Sequence, residues 1–542
     1  MNAISNLWIK SSKISTLSKE YIIKMNKKEI EDAFNPNKMK FGTAGIRQIM
    51  GPGTNRMNAF TYQQISHGYA QYILSKNSEN PKVVIGHDNR TNADMFSIIC
   101  ARVLTSFGIE VYLFNNNKLI PTPIVSYAIN HYGFDGGIVV TASHNPKNYL
   151  GFKAYNETGA QILPDEAKII EQNMPQSETI LNNEYKYNQD LIQYLSDSVI
   201  KDYFIDARSC LIHTDISKRK EYPIVFTAHH GTASQLMPQF LSSLGYLNVV
   251  SVKQQCVPDA NFTFSKCSNP EDPSSFELSE KYAFRVGADI MLGVDPDADR
   301  LAVAIKHNGA WRYLTGNEMG IIFAHYVLTN KDFQKKPYIV STYVSTYLID
   351  SIARTHNALI NRVGTGFKWH GNLINEKINT GELVVAFEEA IGSLNSTINR
   401  DKDSFQAAAL ALEIYDLYKE KSMTLVDLLE KEIYPKYGYW AGGTISYTFQ
   451  SMNWQNDMDE KLSQLASIKN PEVGGIKVLS NRWNSEAEAL EWNMESGMWI
   501  KFRKSGTEPK FKIYYNVYGN DLEEAQSTYE IFKKEISNLM RM

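Results

Sequence analysis

Along the chain, short runs of consecutive apolar residues alternate with longer stretches whose apolar positions recur every three or four residues. Residues 6–34 are polar, with apolar positions at Leu17, Tyr21, Ile22, Ile30 and Phe34, and read as helices leading into a domain. From about 40 to 206, the runs 82–86, 109–114 and 136–141 read as strands. Between them, 93–107 reads as a helix with Phe96, Cys100, Val103, Leu104 and Phe107 on its apolar face. Strand, helix and strand in this rhythm predict an α/β domain with a largely parallel sheet. The rhythm restarts at strand 223–227, runs through helix 233–244 and reaches strand 288–294. It restarts again from Arg312 to about Glu420, with strands 338–342 and 383–386. The final segment differs: strands 443–448, 499–503 and 511–518 precede a closing helix at 521–540, the pattern of an α+β domain. The domains are expected at 1–212, 213–310, 311–430 and 431–542.

Length and composition narrow this picture. A chain of 542 residues exceeds what one hydrophobic core organises, which calls for roughly three or four domains. Hydrophobic residues at 43% and charged residues at 21% exclude a disordered chain, a collagen and a coiled coil. Lys+Arg at 56 against Asp+Glu at 59 gives a net charge of −3 and no basic run, which argues against nucleic-acid or membrane-surface partners. A pocket for a small anion needs only a few cations, so that class stays open. The four cysteines, Cys100, Cys210, Cys256 and Cys267, form no C-x-x-C pair and suit a reducing cytoplasm. No apolar run approaches the ~18 residues of a membrane span, and the first residues lack a signal-peptide core.

Five motifs could carry chemistry. In Val140-Thr-Ala-Ser143-His-Asn-Pro146 an apolar strand runs into a Ser, a His and a turn, placing a hydroxyl where open α/β sheets present ligands. No G-x-S-x-G elbow exists, which disfavours a serine hydrolase. In Asp295-Pro-Asp297-Ala-Asp299-Arg300, three carboxylates at alternate positions can converge on one hard cation, Mg²⁺ before others. An EF-hand fails there, because Arg300 and Lys306 stand where Gly and Glu are needed. Arg503-Lys-Ser505-Gly506-Thr507 offers a guanidinium fork, two hydroxyls and a flexible backbone to an anion. Phe387-Glu388-Glu389-Ala-Ile-Gly392 offers paired carboxylates to sugar hydroxyls. Gly364-Thr365-Gly366-Phe-Lys368-Trp369 lacks both the third Gly of a dinucleotide loop and the end of a P-loop. A hydroxyl, a metal site, a phosphate clamp and a carboxylate pair together suit phosphoryl transfer, which is mostly positioning and charge neutralisation.

These motifs, in this order, resemble the α-D-phosphohexomutases, the phosphoglucomutase/phosphomannomutase family. Phe41-Gly-Thr-Ala-Gly-Ile-Arg47 and Gly364–Trp369 resemble its phosphoglucomutase-2-like branch, which includes phosphopentomutases. The resemblance spans the chain. It implies four domains around a central cleft: three similar α/β domains with mixed sheets and a C-terminal α+β domain. Ser143 would be the phosphoserine and a fourth ligand of one Mg²⁺ held by Asp295, Asp297 and Asp299. Arg47 and Arg300 would flank the transferring group, with His144 and Lys153 as candidates for proton transfer. A lysine in that role needs a lowered pKa, which positive neighbours and a closed cleft could supply. Thr365, Lys368, Glu388 and Glu389 would read the sugar, and Arg503, Ser505, Gly506 and Thr507 would grip the other phosphate.

The implied reaction interconverts sugar 1-phosphates and 6-phosphates of glucose or mannose, with a sugar bisphosphate as intermediate and activator. A phosphopentomutase is the alternative, followed by a phosphatase and by a non-enzymatic sugar-phosphate-binding scaffold. Leu150 and Ser404 depart from the family pattern, and so do Gln48, Ser393 and Lys504; none removes a catalytic group. Oligomeric state is not legible in the sequence.

Overall fold

The computed structural model describes residues 1–35, 39–213, 215, 222–449, 454–505 and 510–541. Helices Ala3–Lys10, Thr16–Lys24 and Lys27–Ala33 open the chain, each capped by a polar side chain, from Asn2, Ser15 and Asn26. They bury Ile4, Trp8, Ile22, Ile30 and Phe34 in a small core with Ile180 and Leu181.

The first sheet has six strands in the order Ile46–Ile49, Tyr149–Tyr155, Gly136–Val140, Lys82–His87, Glu110–Phe114 and Ile192–Leu195. The last four run parallel, and Tyr149–Tyr155 lies antiparallel between Gly136–Val140 and Ile46–Ile49. Gly136–Val140 is wholly buried, with helices pressing on both faces. A Cβ on Gly136 would meet the Tyr69 hydroxyl at 2.3 Å, and one on Gly137 would meet Ile129 Cδ1 at 2.5 Å. The sequence pattern does not show Tyr149–Tyr155, because Gly151 and Lys153 interrupt its apolar run. Leu150, one of the departures from the family pattern, is fully buried in this core.

The second sheet is built on parallel strands Val249–Ser251, Ile224–Thr227 and Ile290–Val294. Strands Leu301–His307 and Ala310–Leu314 follow, so the chain is still in regular structure at the expected boundary near 310. The third sheet sets Lys336–Thr342 parallel to Leu359–Val363 and Gly381–Phe387, with the short Ser393–Leu394 antiparallel at its edge. The fourth has six antiparallel strands, Tyr439–Thr448, Lys510–Gly519, Trp499–Lys504, Ala489–Met494, Ile476–Asn484 and Glu472–Val473 in spatial order. Met458 and Leu462 of helix Trp454–Ser467, and Phe532 and Ile536 of helix Leu522–Arg541, lie in its core. Three α/β sheets and a terminal α+β sheet are thus the architecture the pattern predicts.

The chain forms two compact units. One comprises Met1–Val303, Gly371–Glu376 and Ser396–Ala409; the other comprises Ala304–His370, Lys377–Asn395 and Leu410–Met542. Among the described residues, no helix is long and apolar enough to cross a membrane.

Candidate active site

In the first unit, strand Gly136–Val140 delivers the chain into the loop that carries Ser143. This residue is 1% exposed and sits at φ +52°, a left-handed conformation a serine adopts only when its surroundings impose it. Its Oγ donates to Asp295 Oδ2 at 2.8 Å and lies 3.3 Å from His144 Nδ1. The hydroxyl of the first motif and the acidic loop of the second therefore meet.

The acidic loop follows the buried strand Ile290–Val294. Asp295 Oδ1 accepts the Asp299 and Arg300 amides at 3.1 and 3.0 Å, folding the loop around its own first carboxylate. Asp297 Oδ2 accepts from Thr122 Oγ1 at 2.9 Å. All three aspartates are at most 2% exposed, and their oxygens lie within 4.8 Å of one another. Asp297 Oδ1 and Asp299 Oδ1 are buried and accept no hydrogen bond. Two orphaned carboxylate oxygens beside a third carboxylate form an all-oxygen donor set that fits a hard divalent cation.

Lys153 lies on Tyr149–Tyr155, paired with Val139 one strand from the serine loop. Its ammonium is 1% exposed and donates to Asp297 Oδ2 at 2.7 Å and Asp299 Oδ2 at 2.8 Å. The expected lowered pKa is not what this arrangement produces. Burial does push it down, but Asp297, Asp299 and Asp401 outweigh burial and hold Lys153 above the ordinary lysine value. Asp295, with no lysine on it, is raised by burial and by the repulsion of Asp299 and Asp297. Asp299 is held well below the usual range in spite of its burial, because Lys153, Lys402 and Arg300 surround it. Arg47 NH1 donates to Asn145 Oδ1 at 3.1 Å in the serine loop. Arg300 lies 3.9 Å from Asp299 Oδ1 and 3.6 Å from Glu271.

The second unit carries the remaining motifs. Glu388, at the end of strand Gly381–Phe387, accepts the Gly366 amide at 2.8 Å, tying the carboxylate pair to the Gly364–Trp369 turn. Gly366 has φ +112°, which a side chain would strain. Thr365 is half-buried in that turn, and Lys368 stands 5.8 Å from the Trp369 ring. Burial lowers the pKa of Lys368; Glu488 opposes this and Arg503 adds to it. Glu389 Oε2 accepts from Thr342 Oγ1 at 3.1 Å and Ser345 Oγ at 3.4 Å. Arg503 points its NH2 at Glu488 Oε2, 3.2 Å away. Two residues earlier on the same strand, buried Lys501 bonds Glu491 at 2.7 Å and the Tyr343 carbonyl at 2.6 Å, anchoring the strand. The Ser505 amide donates to the Lys510 carbonyl at 2.9 Å. Gly506 and Thr507 lie outside the described residues.

Several participants escaped the sequence reading. Lys402 Nζ lies 3.3 Å from both Asp299 and Asp401, and Ser404, another departure from the family pattern, donates to the Ala298 carbonyl at 2.7 Å. The Asp401-Lys-Asp403 spacing was the available signal. His229 and His230 have positive φ, and His229 Nδ1 lies 2.8 Å from the Val294 carbonyl, beside the acidic loop. After strand Lys82–His87, Arg90 binds backbone carbonyls of the serine loop, and Asp88 accepts from the Thr141 hydroxyl at the start of that loop.

Family models for phosphoglucomutase/phosphomannomutase α/β/α domains I, II and III match residues 38–180, 201–309 and 315–436. The phosphomannomutase of Mycoplasmoides pirum is 42% identical over 542 residues, covering 100% of both chains. The phosphoglucomutase of Staphylococcus saprophyticus is 32% identical, covering 97% of this chain and 98% of its own. The solved structure of pp63/parafusin, a Paramecium phosphoglucomutase, superposes with TM-score 0.69 at 18% identity, covering 93% of this chain and 94% of that one. The chain belongs to the phosphoglucomutase/phosphomannomutase (α-D-phosphohexomutase) family and is an isomerase of that type.

Proposed function

We propose that this protein interconverts the 1-phosphate and 6-phosphate of glucose or mannose through a phosphoserine at Ser143 and a sugar bisphosphate. The observation that carries the reading is the bond from buried Ser143 Oγ to Asp295, within a carboxylate set that has two unbonded oxygens. Asp295, Asp297 and Asp299, with Ser143 beside them, would hold Mg²⁺, which when bound neutralises charge on a phosphoryl group.

In the forward half-reaction, the Oγ–P bond of phosphoserine breaks as a bond forms between phosphorus and the sugar's free hydroxyl oxygen. The hydroxyl proton leaves to a base, for which His144, 3.3 Å from Ser143 Oγ, is the candidate, and passes on to the released Oγ. Lys153, kept charged by its carboxylates, and Arg47 and Arg300 counter the charge on the transferring group. In the return half-reaction, Ser143 takes the other phosphoryl group from the bisphosphate and the proton goes back to the sugar oxygen.

Glu388, Glu389, Thr365 and Lys368 are assigned to the sugar, and Arg503, Ser505, Gly506 and Thr507 to the phosphate that is not transferring. A mutase must grip both ends of its substrate, and a phosphatase need not, so a second phosphate clamp favours the mutase. The domain limits 1–212, 213–310, 311–430 and 431–542 give each group its own segment. Four cysteines without a disulfide are in keeping with work in the cytoplasm.

The test is a coupled assay with glucose 1-phosphate, mannose 1-phosphate and ribose 1-phosphate, each with Mg²⁺ and glucose 1,6-bisphosphate. Turnover of a hexose phosphate, with stimulation by the bisphosphate, is expected. Higher kcat/KM on the pentose, or release of inorganic phosphate matching substrate loss, would replace the reading by the pentomutase or the phosphatase.

A further inference from the structure

Ser143 is held in a left-handed conformation, and the parts that hold it are all on one short loop. Arg90 is 3% exposed, and its guanidinium collects four carbonyls of the serine loop. NH2 donates to Ser143 O at 2.6 Å and Asn145 O at 2.5 Å; NH1 donates to Pro146 O at 2.8 Å and Tyr149 O at 3.1 Å. Asp88, 1% exposed, controls the other side of the serine. Its Oδ2 accepts from Thr141 Oγ1 at 2.6 Å, and Thr141 Oγ1 in turn accepts the Ser143 amide at 2.8 Å. The two residues also hold each other: Arg90 Nε lies 3.2 Å from Asp88 Oδ2, and the Arg90 amide donates to Asp88 Oδ1 at 2.9 Å. Phe262 covers the guanidinium, its ring centre 5.1 Å away.

The C=O of the nucleophile is therefore oriented by Arg90 directly, and its N–H by Asp88 through the Thr141 hydroxyl. A loop that only needed packing would not require a buried guanidinium on four of its carbonyls. Burying a guanidinium is costly, and here four carbonyl bonds and the Asp88 carboxylate offset that cost. We propose that Asp88 and Arg90 are positioning residues that lock the backbone of Ser143 in the conformation aiming Oγ at the transferring phosphoryl group. The inference rests on the mutase reading for its kinetic consequence and on the backbone geometry alone for its structural one.

The experiment compares Arg90→Lys and Asp88→Asn with the unaltered protein. Lysine keeps the charge but cannot reach four carbonyls, and Asn keeps the shape of Asp. For Arg90→Lys, kcat is expected to fall about 10²-fold, the usual result of misplacing a reacting atom by about 1 Å. Phosphorylation of Ser143 by glucose 1,6-bisphosphate, followed by intact mass, should slow equally, while KM and the Kd of glucose 6-phosphate change less than about twofold. Added methylguanidinium should recover part of the activity of Arg90→Ala. A crystal structure of Arg90→Lys should show Ser143 outside the left-handed region.

Ser143 unmoved, or an unchanged kcat, overturns the proposal. So does a fall in kcat matched by lost glucose 6-phosphate binding in both variants, which would make the pair a general support of the fold. Absence of turnover in the unaltered protein counts against the mutase reading instead, and leaves the backbone measurement to decide this one.

Discussion

The groups assigned to phosphoryl transfer and those assigned to holding the substrate are built differently. Ser143, Lys153 and the three aspartates are at most 2% exposed, and each is fixed by at least one hydrogen bond at or below 3.1 Å from another part of the chain. Arg503, itself 12% exposed, pairs with Glu488, whose side chain is 73% exposed. Transfer needs charges desolvated and preset before the substrate arrives, since reorganising them would add to the barrier. Holding needs a fork that is available to a phosphate and released by it, so a solvated partner suffices. The difference separates residues whose loss should affect kcat from residues whose loss should affect KM.

The largest expected break is at the rigid end. Ser143→Ala removes the oxygen proposed to accept and return the phosphoryl group, so kcat should fall by about 10³-fold or more, with glucose 6-phosphate still bound. Retained activity in a steady-state assay would remove Ser143 from the mechanism. Next comes Asp297→Asn, which takes a charge from a set that also bonds Lys153 and Thr122. The apparent Mg²⁺ affinity, read from activity against free Mg²⁺ after chelation, should weaken by about tenfold or more. An unchanged Mg²⁺ profile would mean the cation is held elsewhere.

At the holding end, Arg503→Ala should leave kcat within a few-fold and raise KM by roughly 10–100-fold, the value of about two charge-assisted hydrogen bonds. If kcat falls instead, with KM unchanged, the division between the two ends is wrong at this residue.

How much of this was legible beforehand follows the same division. The α/β rhythm and the terminal α+β segment could be read because buried strands are continuous apolar runs, and strand Ile290–Val294 ends on the acidic loop as the pattern indicates. Ser143 and the three aspartates could be read because their side chains form a short motif with one chemical use. Strand Tyr149–Tyr155 could not, because Gly151 and Lys153 interrupt its apolar run and its partners lie on both sides in space. Arg90 was invisible for a different reason: it acts on carbonyls, and backbone atoms carry no sequence signature, while Asp88 reaches the Ser143 amide only through the Thr141 hydroxyl. The sign of the Lys153 shift is not legible in the motifs, because it depends on which neighbours are closest: a lysine that transfers protons would need a lowered pKa, whereas Asp297, Asp299 and Asp401 hold this one above the ordinary value.

The smallest expected effect tests the comparison most closely. Glu488 bonds Arg503 in place of a phosphate and also supports the charge of Lys368, whose pKa burial holds below the ordinary lysine value. Glu488→Gln therefore acts in two directions. At neutral pH, freeing Arg503 should lower KM for glucose 6-phosphate by roughly twofold to threefold, as befits an ion pair with one exposed partner. At alkaline pH the sign reverses. A base whose pKa is already lowered loses its proton at a lower pH once its acidic neighbour is gone, so the alkaline rise in KM should begin earlier in Glu488→Gln. Lys368→Arg, which keeps its charge throughout, should flatten that rise in both backgrounds. A KM that rises at neutral pH would show that Glu488 helps to hold the substrate. A common alkaline limb in all three proteins would place the titrating group somewhere other than Lys368.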